Sequence, residues 1–204
     1  RIEHRPNLLR ILNNIAWLFS DKILRMGVGL VVSVWMARYL GPVDFGLFSF
    51  AIAVISLVGV LATLGLPGVI IRDLVNDPPG SLVTLGSSLV LQVIGGILAF
   101  SLLLILIPIL RPDDHSTLSV VAIIGLTLLF KGCDNFKYWF ESQVQSKYSV
   151  WAENAAFVAA AVIKVGLILV SASLLAFAWI TFLETLLTAI SLFVMYEWAG
   201  GGMR

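Results

Sequence analysis

Charged side chains inside apolar stretches are the residues of this sequence most able to do chemistry. The first apolar stretch holds Asp21, Lys22 and Arg25 within little more than one helical turn. A helix that keeps such charges in a membrane must give them a protein or water partner, because lipid offers none. Asp21 and Arg25 are four residues apart, so they share a helix face and can pair, whereas Lys22 points about 100° away. We expect this helix to line a polar space through Arg25; snorkelling to the surface is the alternative, and the one we favour for Lys22.

Three further ionisable residues interrupt the last two apolar stretches. Glu153 and Lys164 are eleven residues apart, so they lie on one helix face, about 16 Å apart, and with Asn154 mark a polar stripe. Glu184 can meet Lys164 across the hairpin between the last two helices, where a structural ion pair is the favoured interpretation. A polar stripe of mixed charge inside a helical bundle is typical of a transport path. The candidates for lining such a path, or for coupling it to an ion or proton, are Asp21, Glu153, Lys164 and Glu184.

Composition places the chain among polytopic membrane proteins and excludes several functions. Of its 204 residues, 59% are hydrophobic and 12% charged, about half the charged fraction of a soluble domain, and the mean hydropathy is +1.01. A net charge of +1 is too small to indicate nucleic-acid binding. The single cysteine excludes an internal disulfide, and no cysteine or histidine has metal-ligand spacing. No catalytic set or phosphate-cradling glycine loop is present, so we expect neither an enzyme nor a cofactor.

An all-α bundle of six membrane-crossing helices is the predicted architecture that would position these residues. It comprises an amphipathic segment at 1–13, a helical lobe at 14–198 and a truncated tail at 199–204. Gly41 and Pro42 break the chain between the first two crossings, and a polar connection follows the second. The predicted crossings are 17–36, 45–66, 82–110, 118–130 with an interfacial continuation, 150–171 and 174–196.

Packing and orientation also follow from sequence patterns. Gly95, Gly96 and Ala99 form a small-residue face of the third crossing, where another helix can approach closely. With the N-terminus inside, the inner ends and loops carry eight lysines or arginines, and the outer loops carry only Arg38 and Arg111. The positive-inside rule therefore predicts that both termini are cytoplasmic.

Short motifs occur in an order that is more specific than any one of them. They are NNxxW at 13–17, DKxxR at 21–25, ARYLGP with FG at 37–46, LGL with RDL at 64–74, and D, YWF, SQ and SKY at 134–148. Over residues 7–196 this pattern resembles the N-terminal region of the bacterial polysaccharide-biosynthesis flippases. These are the Wzx-type O-antigen and repeat-unit translocases of the multidrug/oligosaccharidyl-lipid/polysaccharide exporter superfamily.

The resemblance implies an activity, an architecture and a set of partners. The activity is flipping of undecaprenyl-pyrophosphate-linked oligosaccharide across the bacterial inner membrane, for O-antigen, capsule or exopolysaccharide synthesis. The architecture is two six-helix lobes around a central cavity that opens alternately inward and outward, of which this chain supplies one. The implied partners are the missing second lobe, the lipid-linked oligosaccharide, membrane lipids and the polysaccharide polymerase machinery. Arg25, then Arg72, and more weakly Lys22 carry over as residues that bind the lipid pyrophosphate.

Three other functions stay open. A drug/cation antiporter of the same superfamily would need an acidic cavity, and the cations of the first crossing argue against one. A membrane glycosyltransferase or acyltransferase would need acidic or histidine catalytic groups in sizeable loops, and the longest loops here are barely a dozen residues. An inactive fragment would be expected to lose its charged and helix-breaking residues, which are intact.

Overall fold

The computed structural model describes residues 6–77, 79–112 and 114–199, with side chains from residue 15 onward, and these residues are almost entirely helical. No strand occurs in these ranges, so the predicted all-α class is confirmed. The predicted tail beyond residue 199 and the first five residues of the amphipathic segment lie outside the described residues. The helices are α1 Pro6–Thr63, α2 Pro67–Asn76, α3 Ser81–Leu110, α4 His115–Gly125, a 3₁₀ segment Leu126–Cys133, α5 Asp134–Ser142, α6 Ser146–Leu169 and α7 Leu174–Trp198.

Five helical stretches of the described chain are long and apolar enough to cross a membrane, where the sequence predicted six. The count differs because the first two predicted crossings belong to one helix, α1, which is helical on both sides of a bend at Gly41. The prediction of a polytopic bundle is confirmed, and the number of separate helices is corrected. The five stretches are Ile15–Asn76, Ser81–Leu110, His115–Ser142, Ser146–Leu169 and Leu174–Trp198.

The bend in α1 folds its two arms, 6–40 and 42–63, back on each other. Gly41 has φ +74°, in the left-handed region where only glycine is comfortable. Pro42 follows at the first position of the second arm, where its missing N–H and fixed φ are tolerated. Gly29 and Ala53 line the same cavity, although a straight helix would hold them about 36 Å apart. The arms therefore form a hairpin without a loop.

The main core lies between the second arm of α1, helices α3 and α4 and the start of α7, and within it α3 approaches α1 and the 3₁₀ segment closely. A Cβ atom placed on Gly95 would lie 2.6 Å from the carbonyl oxygen of Ala62, and one on Gly96 would overlap the carbonyl oxygen of Leu128. Ala99, one turn further along α3, is buried. Small side chains thus let three backbones meet closely, and the predicted small-residue face is confirmed.

Helix α2 corrects the prediction of a polar connection after the second crossing. Pro67 begins this helix, and Ile70 and Leu74, one turn apart, are 3% and 1% exposed. Both pack into a second apolar cluster with Phe140 of α5 and Tyr196 of α7. The helix forms because its two buried residues share one face, although charged residues lie between them in the sequence.

The fourth predicted crossing is composite, since α4 passes through the 3₁₀ segment into α5. Asp114 caps the start of α4 by accepting hydrogen bonds from the hydroxyl and the backbone N–H of Thr117. These bonds hold the pKa of Asp114 below its ordinary value. At the other end, α5 has Asn135 and Phe140 buried. Between these two buried residues lies Lys137, whose ammonium group reaches Glu153 on α6.

Candidate functional site

Four charged side chains from three helices form one ionic cluster, which consists of Asp21, Arg25, Lys137 and Glu153. Arg25 of α1 donates from Nε to Asp21 Oδ1 over 2.7 Å and from Nη2 to Glu153 Oε2 over 3.2 Å. Lys137 of α5 lies with its Nζ 2.8 Å from Oε1 of Glu153 on α6. The predicted pairing of Asp21 with Arg25 is confirmed. Glu153 carries the cluster across to the other two helices.

Burial differs between the acids and the bases of the ionic cluster. The carboxylate side chains of Asp21 and Glu153 are 8% and 11% exposed, whereas those of Arg25 and Lys137 are each 30% exposed. Two acids and two bases leave the cluster without net charge, as buried charges require. The less buried ends are cationic, so the face that the cluster offers to a ligand is positive.

Contacts between α1 and α6 place Arg25 against Glu153. Trp17 and Trp151 meet with ring centroids 6.3 Å apart, about two turns before Arg25 along α1. The guanidinium of Arg25 lies 5.3 Å from the ring centroid of Phe157, one turn beyond Glu153. A cation over an aromatic face is attracted to it, so Phe157 and Glu153 together fix the orientation of the arginine.

A polar cavity of about 300 Å³ opens beside the ionic cluster, between α1, α5, α6, α7 and the 3₁₀ segment. Three cations and three carboxylates line it, and among them Lys131 pairs with Asp134 over 3.3 Å. The cations suit a phosphate-like anion, and the carboxylates and threonine hydroxyls suit hydroxyl groups. Its polar lining residues are Arg25, Lys131, Asp134, Lys137, Tyr138, Glu153, Glu184, Thr185 and Thr188.

An ion pair between α6 and α7 separates the polar cavity from a second, mostly apolar one. Lys164 donates from Nζ to Glu184 Oε2 over 2.9 Å, with the two side chains 15% and 20% exposed. Glu184 lines the polar cavity, and Lys164 lines a cavity of about 340 Å³ between the arms of α1 and helix α6. The ion pair predicted across this hairpin is confirmed.

A third cavity adjoins the polar cavity on the side of the second arm of α1. It has a volume of about 410 Å³ and shares Lys131 and Thr185 with the polar cavity. Serine and threonine hydroxyls supply most of its remaining polar lining. These residues are Ser56, Thr63, Thr127 and Thr181. The two cavities thus provide adjoining cationic and hydroxyl-lined space.

Two of the predicted binding residues stay outside the ionic cluster. Lys22 is exposed on a different face of α1 from Arg25. Arg72 lies on α2, with its side chain 67% exposed, and pairs with its neighbour Asp73 over 3.2 Å. The structure therefore gathers Asp21, Arg25 and Glu153 but not the two other cations, and the ligand-binding roles of all of them stay predictions.

Lys131 and Lys137 are functional candidates that the sequence did not single out. Both fall in the stretch that was predicted as an interfacial continuation of the fourth crossing. Asp134 lies three residues from Lys131, so that pair had a local signal in the sequence. The partner of Lys137 is Glu153, sixteen residues away on a different helix, and no spacing rule predicts such a contact.

Apolar helices of crossing length around a charged internal cavity define a polytopic membrane protein. A family described as polysaccharide biosynthesis protein matches residues 11–203, and the chain belongs to this family. The family predicted from the short motifs is thereby confirmed, and with it a role in polysaccharide synthesis or export. Searches of curated proteins and of solved structures find no match.

Proposed function

We propose that the chain is one lobe of a non-enzymatic transporter that flips an undecaprenyl-pyrophosphate-linked oligosaccharide across the bacterial inner membrane. The observation that carries this proposal is the polar cavity with its three cations, set in a bundle whose outer surface is apolar. Met26, Leu57 and Val83, on three different helical segments, are among the exposed large apolar residues, at 77%, 74% and 76%. A charged head group would enter the cavity while its prenyl tail stayed in lipid.

Arg25 is the residue we assign to the pyrophosphate. Its Nε and Nη2 already contact carboxylates, and its side chain lines the polar cavity. A guanidinium binds phosphate oxygens through a planar fork of donors, which favours arginine over lysine for this role. The contact with Glu153, at 3.2 Å, is the longer of the two and the one that an incoming anion would replace. Arg72 and Lys22, both exposed, would meet the anion only before it enters.

The sugar part of the substrate fits the hydroxyl-rich side of the site. The carboxylates of Asp134 and Glu184 can accept hydrogen bonds from sugar hydroxyls in addition to those from their lysine partners. Thr185 lines both the polar cavity and the third cavity. Lys131 lines both cavities, so it would stay close to the junction between pyrophosphate and sugar. Adjoining cavities of this kind would hold a head group that is anionic at one end and hydroxylated at the other.

The remaining expectations complete the proposed arrangement. A second six-helix lobe would close the cavity from the open side, and the polymerase machinery would receive the exported unit. The charge bias of the loops supports an orientation with both termini in the cytoplasm. If transport is coupled to an ion or proton, the carboxylates of Asp21, Glu153 and Glu184 are the groups that would bind it. Lys164 would compete with that ion or proton for Glu184, because the two side chains form an ion pair.

Complementation of a flippase-deficient strain tests the proposal. The full-length protein with Arg25→Ala is expected to lower export of the lipid-linked glycan at least tenfold, and Arg25→Lys, which keeps the charge but loses the fork, to give an intermediate level. Lys147→Ala is the matched control, since Lys147 is an exposed cation that lines none of the three cavities described above. Normal export by Arg25→Ala would refute the assignment. Raised drug susceptibility with normal glycan export in a strain lacking the chain would favour the antiporter.

A further inference from the structure

Lys137 makes the shorter of the two cation contacts to Glu153. Its Nζ lies 2.8 Å from Oε1, whereas Nη2 of Arg25 lies 3.2 Å from Oε2. Each oxygen of one carboxylate is therefore committed to a different cation, and the two cations come from different helices. The contact to Arg25 can be lost while the contact to Lys137 persists.

The guanidinium of Arg25 likewise contacts two different carboxylates through two different nitrogens. Its Nε contacts Asp21 over 2.7 Å within α1, and only its Nη2 reaches across to Glu153. The arginine thus keeps its place on α1 when Nη2 exchanges partners. The link between Arg25 and Glu153 is the longest of the three ionic contacts in the cluster.

An anion can replace Glu153 as the partner of Arg25 Nη2 only if a second cation stays beside Glu153. The side chain of Glu153 is 11% exposed, and a carboxylate at this depth that lost its only cation would be left as an uncompensated buried charge, which is strongly unfavourable. Lys137 removes this obstacle because it stays on the other oxygen. Without Lys137, Glu153 would have Arg25 as its sole cation in the ionic cluster and would hold it more tightly.

From these contacts we infer that Lys137 is a positioning residue that holds Glu153 and thereby frees the guanidinium of Arg25 for a pyrophosphate-type anion. The inference rests on the proposed function, because it takes Arg25 as the group that meets the anion. Lys137 lines the polar cavity itself, so its own charge contributes to anion binding as well. The larger contribution that acts through Glu153 should exist only while residue 153 carries a carboxylate that can reach both cations.

Binding of inorganic pyrophosphate to the purified full-length protein in detergent at low salt, measured by isothermal titration calorimetry, tests this dependence. Lys137→Gln is expected to raise the Kd about tenfold, and Lys137→Arg to leave it near that of the unmodified protein. In a Glu153→Gln background only the charge of Lys137 beside the cavity is lost, so Lys137→Gln should raise the Kd only about twofold. Lys147→Gln, which removes an exposed cation from α6, is the matched control for loss of one positive charge.

Two results would overturn the inference. An equal rise in Kd from Lys137→Gln in both backgrounds would mean that Lys137 contacts the anion or supports the fold independently of Glu153. No rise in either background would mean that Glu153 does not restrain Arg25. Should Glu153→Gln fail to fold, Glu153→Asp gives the same test, since the shorter carboxylate cannot reach both cations. Unchanged pyrophosphate binding by Arg25→Ala would instead refute the anion site of the proposed function, whatever the Lys137 variants show.

Discussion

Replacing Gly95 by alanine would place a methyl carbon 2.6 Å from the carbonyl oxygen of Ala62, and 3.3 Å from its carbonyl carbon. The three nearest atoms all belong to the backbone of Ala62 in the second arm of α1, which cannot rotate away as a side chain can. Helix α3 and that arm would have to separate. We expect Gly95→Ala to destabilise the bundle for this reason.

The effect of Gly95→Ala on the free energy of unfolding is the sum of two opposed contributions. Alanine in place of glycine in a helix interior stabilises by about 1 kcal/mol. The new methyl carbon would be about 0.7 Å closer than the roughly 3.3 Å of a C–H···O contact, and overpacking a well-packed core costs about 1–3 kcal/mol. Gly86 isolates the second term, because it lies on the same helix and a Cβ there would meet nothing within 4 Å. The difference between Gly95→Ala and Gly86→Ala is thus about 1–3 kcal/mol, all of it from the close approach.

Thermal unfolding of the two variants in the same detergent, followed by circular dichroism at 222 nm, measures this difference. A domain of this length shifts its Tm by about 2–4 °C for each kcal/mol, so Gly95→Ala should melt several degrees below Gly86→Ala. Equal melting temperatures would refute the close packing of α3 against α1. A rise for Gly86→Ala over the unmodified protein is the internal check on helix propensity.

Two further contacts give sharp predictions. Lys164→Met and Glu184→Gln should each destabilise by about 3–5 kcal/mol, because each leaves one buried charge without its partner. The double variant should recover most of that loss in the same unfolding assay, and additive losses would contradict a direct ion pair. The hydroxyl of Tyr39 donates to the backbone oxygen of Ala172 over 2.8 Å and ties the α1 bend to the turn between α6 and α7. Tyr39→Phe should therefore cost about 1 kcal/mol, and faster hydrogen exchange of the 170–173 turn would check the location of the effect, which an unchanged rate would contradict.

Local rules of sequence predicted some parts of the site and could not predict others. Asp21 and Arg25 were recognisable as a pair because four residues make one helical turn. The pairing of Lys164 with Glu184 was also within reach, since two helices joined by a short turn are bound to be neighbours. The contact of Lys137 with Glu153 was not, because it depends on how α5 packs against α6.

The fold shows the same division between local and tertiary causes. The small-residue face at Gly95 could be predicted from the sequence, because neighbouring glycines in an apolar helix usually mark a place where another helix packs closely. Helix α2 was missed because the adjacent charges of Arg72 and Asp73 indicated a polar connection. The burial of Ile70 and Leu74 depends on Phe140 and Tyr196 from distant parts of the chain. Gly41 was correctly predicted as a break, but only the structure shows that helix resumes at the next residue.

The 3₁₀ segment Leu126–Cys133 sets the rotational phase of α5. Its eight residues turn about 960° as a 3₁₀ helix and would turn about 800° as an α-helix, so α5 is rotated by about 160° from a straight continuation of α4. The segment is also about 4 Å longer than an α-helix of the same residues. The contact of Lys137 with Glu153 depends on this rotation. Deleting one residue from the segment would turn α5 by about 120° and carry the ammonium group away from its carboxylate.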